Sequence, residues 1–161
     1  MMKIPNSFIV AQMPSMNWLD VKYGIDNSYI TTDDASEIAL ISLDSVSSET
    51  QFDLASSKGE NSETLYNLVE KLAFNDRAIH LPSEKWLFVY LAWVYEQRDR
   101  VSDPLSLAES LYSDFDYPEW VTPIIRYMPA ADGEPTGDSY LMKKWGKILQ
   151  SQRIELSNDK R

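Results

Sequence analysis

The sequence of 161 residues contains no cysteine and one histidine, His80. A disulfide framework, a zinc–thiolate site and a cysteine nucleophile are therefore excluded, and one chain cannot supply a histidine cluster for a metal ion. Glycine is scarce as well, and the segment Gly133–Gly137 lacks both the lysine and the preceding strand of a phosphate-binding P-loop. The sequence therefore describes a folded domain in which no catalytic motif is recognisable. We expect a protein that is not an enzyme and that holds no cofactor and no metal.

Long apolar runs are also missing. The longest, Trp86–Tyr95, has ten residues, whereas a membrane-spanning helix needs about 20. The N-terminal run Phe8–Ala11 has four residues, fewer than the roughly 7–15 of a secretory signal. We therefore expect a soluble cytoplasmic protein that does not bind membranes.

Helical periodicity dominates the rest of the chain and predicts an all-α fold, in one domain that spans 1–161. The helix at about 83–98 is apolar on every side, so we expect it to be the buried centre of a compact bundle. Residues 8–11 are predicted to form a short strand or an apolar staple, 47–63 a linker with one helical turn, and the tail from about residue 156 to fray. The six predicted helices lie near 17–27, 31–46, 62–75, 83–98, 103–115 and 138–154.

The charge is strongly negative and unevenly distributed. Of the net charge of −10, residues 20–70 carry −9 and residues 103–138 carry −7, while residues 139–161 carry +4. Such a surface repels nucleic acid, whose phosphates need Lys and Arg, and attracts a basic protein. The plainer interpretation is that the acidity only keeps the protein in solution.

Two clusters of carboxylates stand out, one at a helix start and one around a proline turn that a polar loop follows. Helix capping and a solvated helix end are their plainer interpretations. Paired carboxylates can also bind a divalent metal or transfer protons, although no EF-hand calcium loop is present. We predict that they bind a partner. The candidate binding residues are Asp33, Asp34 and Glu37 in the first cluster, and Asp114, Asp116, Glu119, Asp132 and Glu134 in the second.

Several aromatic strings resemble those of a family of small bacterial helical proteins first catalogued only as a domain of unknown function. The resemblance extends over about residues 17–150, and its motifs are mostly structural. The strings are Trp18–Gly24 followed by Tyr29-Ile30, Glu84–Leu87 leading to Leu91–Tyr95, Asp103–Leu105, Tyr112–Pro118 and Arg126–Pro129.

Members of that family occur as immunity proteins, or antitoxins, beside polymorphic toxins, including toxins of the LXG type in Gram-positive bacteria. The resemblance implies that this chain binds and neutralises a cognate toxin, and it supplies no catalytic residues. We expect the toxin to be a nuclease, because carboxylates can take the place of phosphates at its Lys and Arg residues. Two alternatives stay open: an adaptor without a toxin partner, and a metal-dependent hydrolase that uses Asp114, Asp116 and Glu119.

Overall fold

The computed structural model describes residues 2–129, 133 and 137–158. Within this part of the chain every regular element is a helix and no strand is present, so the all-α prediction is confirmed. Two short 3-10 helices, Arg98–Arg100 and Glu119–Ile124, accompany the α-helices. The α-helices are α1 (Asn6–Gln12), α2 (Trp18–Asp26), α3 (Thr32–Ile41), α4 (Glu49–Ala55), α5 (Ser62–Ala73), α6 (Pro82–Glu96), α7 (Pro104–Asp114) and α8 (Asp138–Ser157).

All six predicted helices are present, and the structure adds two short helices, α1 and α4, of which α4 contains the helical turn predicted within residues 47–63. The strand predicted at residues 8–11 is wrong, because these residues lie inside α1. Each added helix has seven residues, too few to be stable alone in water. Burial of Ile9 and Leu54 supplies the stabilisation that the local sequence lacks.

Polar side chains cap the starts of three helices. The side chain of Asn17 accepts the backbone N–H of Asp20, and the Asp20 carboxylate accepts that of Asn17. Thr31 and Asp34 form the same reciprocal pair at the start of α3. At the start of α7, the Asp103 carboxylate accepts the N–H of the third helical residue. Each pair satisfies backbone donors that a helix start leaves unbonded.

The chain divides into two compact units, and the division falls inside α6 between Trp86 and Leu87. In the N-terminal unit, α3 contacts α1, α2, α4 and α5, and α5 also contacts α2 and α4. The core of this unit includes Ile9, Val21, Ile38, Leu54, Leu65 and Val69.

In the C-terminal unit, both α7 and α8 contact the 3-10 helix Glu119–Ile124. The prediction that α6 is buried is confirmed, since residues 85–92 and Val94 are buried whereas Trp93 is half-buried. The predicted fraying from residue 156 is wrong at its start, because α8 continues to Ser157 and Leu156 is fully buried. The core of this unit includes Leu87, Leu91, Leu105, Leu111, Ile124 and Trp145.

A buried ion pair joins two of the sequence strings within the N-terminal unit. The Lys85 ammonium donates to the Asp20 carboxylate at 2.5 Å and to the Ser15 carbonyl at 2.7 Å. Burial raises the pKa of Asp20, and the hydrogen bond and positive charge of Lys85 oppose that rise. Both side chains are almost completely buried, so loss of either partner would leave an uncompensated charge in the interior.

Trp86 fixes the same region through its indole ring. Its Nε1–H donates to the Asp20 carbonyl at 2.8 Å, and its ring lies 5.4 Å from that of Tyr29. A Cβ on Gly24 would approach the indole to 2.4 Å, so only glycine fits there without a shift of the ring. The strings around residues 18–24, 29–30 and 84–87 therefore meet in one packed cluster, whose role is structural.

Among the described residues, no helix has both the length and the apolarity to cross a membrane.

Candidate partner-binding surface

The structure engages the first acidic cluster in internal contacts. Asp34 is buried, and its carboxylate accepts from Lys3 at 3.0 Å, from the Asn6 amide at 3.0 Å and from the Thr31 N–H at 2.8 Å. Burial alone would raise the pKa of Asp34, but the hydrogen bonds from Thr31, Asn6 and Lys3 lower it to about 2. Its predicted role in binding a partner therefore competes with a structural role that already uses both oxygens.

The other two members of that cluster also have intramolecular partners. The Asp33 carboxylate accepts the backbone N–H of Gly59 at 2.9 Å. Glu37 pairs with Lys58 at 3.2 Å. Both contacts tie α3 to the segment between α4 and α5, so this cluster stabilises the N-terminal unit.

The second cluster lies on the surface of the C-terminal unit, where α7 ends and the 3-10 helix Glu119–Ile124 begins. We call Asp114, Asp116 and Glu119 the acidic turn. All three side chains are exposed. Among the described residues, none of their carboxylates takes part in an ion pair. The ion pairs found there are Lys3–Asp34, Lys22–Asp26, Lys58–Glu37, Lys85–Asp20, Arg126–Asp103 and Arg126–Asp138.

Arg126 is the one basic residue in the segment 103–138, and the structure directs it away from the acidic turn. Its guanidinium contacts Asp103 at 2.6 and 3.0 Å and Asp138 at 3.0 and 3.1 Å. The hydrogen bonds of Arg126 lower the pKa of Asp103. Arg126 thus neutralises carboxylates at the starts of α7 and α8 and forms no ion pair with those of the acidic turn in the part of the chain that the structure describes.

Tyrosines accompany the acidic turn, and the sequence-based choice of residues missed them. Tyr117 and Tyr127 are 57% and 60% exposed. Their ring centroids lie 5.2 and 6.4 Å from that of the buried Tyr112. We call Tyr112, Tyr117 and Tyr127 the tyrosine face. The strings Tyr112–Pro118 and Arg126–Pro129 contain all three tyrosines, but the carboxylate pattern that predicted the binding residues does not include them.

Asp132 and Glu134, the remaining predicted binding residues, lie outside the described residues.

The arrangement gives the hydrolase alternative no support. Among residues 2–129, 133 and 137–158, no group of three or more histidines or carboxylates is arranged to hold a metal ion. A cleft of about 430 Å³ in the C-terminal unit combines two cations and one carboxylate with hydroxyl groups. It is lined by Tyr95, Arg98, Asp99, Pro104, Ser139, Met142 and Lys143. This lining contains no histidine and no carboxylate pair of the kind used in acid–base catalysis.

Fold and surface together describe a small helical protein with an acidic, tyrosine-bearing face. The chain belongs to the family described as "Uncharacterized protein conserved in bacteria (DUF2247)", whose model matches residues 6–153. This family is bacterial, in agreement with the resemblance, and its description assigns no toxin partner. No curated protein and no solved structure matches the chain.

Proposed function

We propose that this protein is an immunity protein that binds one cognate polymorphic toxin in the cytoplasm and neutralises it. The observation that carries the proposal is the acidic turn, because its carboxylates are exposed and unpaired among the described residues. The family match is compatible with this role and does not assign it. The link to toxins of the LXG type rests on the resemblance of the aromatic strings.

A basic toxin surface is the partner that this electrostatic arrangement favours. Nucleases expose Lys and Arg where they hold phosphates, and carboxylates can form the same charge-assisted hydrogen bonds. The net charge of −10 adds a long-range attraction that speeds the encounter. We therefore propose a nuclease toxin whose phosphate-binding surface meets the acidic turn.

The test is co-expression with the toxin gene, after a change of charge at the acidic turn. The variant D114K/D116K/E119K should fold and yet lose protection, because like charges then face the basic partner. The control D53K/E60K/E70K changes the net charge equally on exposed acids of the N-terminal unit and should protect like the wild type. Equal protection by both variants would exclude the acidic turn as the binding surface.

A kinetic measurement separates electrostatic attraction from apolar contact. The association rate with the purified toxin domain should fall steeply as salt rises past physiological strength, where the Debye length is about 8 Å. The acidic-turn variant should associate more slowly and show a weaker salt dependence. An association rate that does not change with salt would leave shape and apolar packing as the basis of recognition.

The neighbouring gene distinguishes the immunity protein from an adaptor. A large adjacent gene with an LXG-like or other secretion module and a variable C-terminal domain would supply the toxin for these experiments. If no strain carries such a gene, the adaptor function becomes the better interpretation.

A further inference from the structure

The tyrosine face presents two exposed aromatic rings on one support. The ring of Tyr117 stands nearly perpendicular to that of Tyr112, at 85°, and its hydroxyl lies 3.3 Å from the Ser113 hydroxyl. Tyr127 flanks Tyr112 from a different segment of the chain. Aromatic side chains that are exposed yet held in place are typical of binding hot spots, because little conformational entropy is lost when they are covered.

The backbone that carries Tyr117 is held in an uncommon conformation. Asp116 and Tyr117 have φ angles of 65° and 57°, in the left-handed region that residues other than glycine rarely occupy. The Tyr117 N–H donates to the Tyr112 carbonyl at 2.8 Å, which folds the segment back onto the end of α7. The chain therefore fixes both the Asp116 carboxylate and the Tyr117 ring at the surface.

The charge around these rings is negative. Desolvation is the largest cause that raises the pKa of Tyr127, and the negative charge of the Glu109 carboxylate adds to that rise. Asp116 precedes Tyr117 directly, and Arg126, the neighbour of Tyr127 in the chain, is held by carboxylates outside the acidic turn. An aromatic face beside uncompensated carboxylates is complementary to a cation that can also stack.

We infer that the tyrosine face binds an arginine side chain from a basic segment of the partner. Arginine fits better than lysine, because its planar guanidinium stacks on an aromatic ring and pairs with a carboxylate at the same time. The C-terminal unit already contains cation–ring contacts, since Arg98 lies 4.2 Å from the ring centroid of Tyr95, Arg153 lies 4.9 Å from that of Phe88 and the Lys144 ammonium lies 5.2 Å from that of Tyr140. The inference rests on the proposed function for the identity of the partner.

A direct binding experiment tests the inference without the toxin. The probe is a short peptide of alternating glycine and arginine, compared by calorimetry with matched peptides that carry lysine or the neutral isostere citrulline. The arginine peptide should bind most tightly to the wild type. The double variant Y117A/Y127A should weaken that binding by about two- to fivefold for each ring, while Y117F/Y127F should retain it.

Control variants make the result specific. Tyr66→Ala removes a tyrosine of the N-terminal unit and should leave the affinity unchanged, and circular dichroism should show that every variant keeps its helicity. Equal affinity for the arginine and lysine peptides, or an unchanged affinity in Y117A/Y127A, would overturn the inference.

The two proposals fail in different ways. If the wild type binds the arginine peptide through the tyrosine face but protects against no toxin, the proposed function is wrong and the binding surface stands. If the acidic-turn variant loses protection but Y117A/Y127A binds the peptide and protects like the wild type, the proposed function stands and the tyrosine face is not the arginine site.

Discussion

Three acids of the N-terminal unit differ from those of the acidic turn in what their carboxylates contact. Asp20, Asp34 and Glu37 each pair with a lysine of the same unit. Asp114 and Asp116, by contrast, are exposed and form none of the observed ion pairs. A similar local density of negative charge thus stabilises the fold in one region and faces solvent in the other.

The comparison shows that net charge alone is a poor guide to a binding surface. Residues 20–70 carry the larger charge, −9 against −7 for residues 103–138. Only part of the larger block is compensated internally. Lysines pair with Asp20, Asp26, Asp34 and Glu37, whereas other acids of the block are exposed and join none of the observed ion pairs, namely Asp44, Glu49, Asp53, Glu60, Glu63 and Glu70. Carboxylates without an ion pair therefore occur in both regions, and the acidic turn is distinguished by the exposed tyrosine Tyr117 that lies between Asp116 and Glu119 in the chain.

The largest effect that this comparison predicts is at the buried ion pair. Lys85→Met should lower the free energy of unfolding by about 3–5 kcal/mol, because Asp20 then stays buried without a counter-charge. Urea unfolding measures the effect. The control Lys58→Met removes a lysine of a surface pair and should cost no more than about 1 kcal/mol. Similar losses in both variants would remove the distinction between buried and surface pairs in this unit.

A second prediction contrasts the core of the C-terminal unit with its acidic turn. Leu91→Ala should cost about 2–5 kcal/mol, since Leu91 is fully buried and its loss leaves a cavity. The charge reversals at the acidic turn should each change stability by no more than about 0.5 kcal/mol. Thermal melts followed by circular dichroism compare them directly. If the reversals destabilise the protein as much as Leu91→Ala, the acidic turn has a structural role.

The third prediction concerns acid denaturation. The folded protein holds the pKa of Asp34 at about 2, below the ordinary 3.8, so the stabilisation from its ionised form is complete above about pH 4. This contribution is lost as pH falls from about 4 to 2, and it amounts to about 1–2 kcal/mol after allowance for solvent screening. Asp20 has the opposite effect on stability. Burial raises its pKa, so its contribution to the free energy of unfolding falls as pH rises above its ordinary pKa.

Urea unfolding at several pH values between 2 and 6 measures this slope. Asp34→Asn should flatten the acid limb relative to that of the wild type. Identical acid limbs for Asp34→Asn and the wild type would show that Asp34 does not carry the linkage.

Local spacing was enough to predict most helices and the cap at the start of α3. The pairs Asn17–Asp20 and Thr31–Asp34 lie three residues apart, within the range that propensity and capping rules describe. The continuous apolar run predicted that α6 is buried. The helix α1 was missed, and α4 was predicted only as one helical turn, because tertiary burial, rather than local propensity, stabilises both helices.

Contacts between distant parts of the sequence account for the buried ion pair and for the part of the candidate site that the sequence did not predict. Asp20 and Lys85 are 65 residues apart, and no local pattern joins them. Arg126 could have neutralised any acid of its segment, and the fold alone pairs it with Asp103 and Asp138. The sequence also did not predict the left-handed φ angle at Asp116, because the turn contains no glycine, the residue that usually adopts this conformation.

The smallest predicted effect is the most specific for the acidic turn. Asp116→Gly replaces a residue at φ 65° by the one residue that adopts this conformation freely. Relief of the left-handed strain should offset the greater entropy of the unfolded chain, so the variant should be unchanged or up to about 1 kcal/mol more stable. The same change removes a carboxylate and should slow association with the toxin.

Tyr117→Gly would relieve the same kind of strain while it deletes a ring instead of a charge, and it should weaken binding with little loss of the salt dependence. If D116G is more stable and still fully protective, the strained turn has no role in binding, because protection would then not depend on the carboxylate that the turn places at the surface.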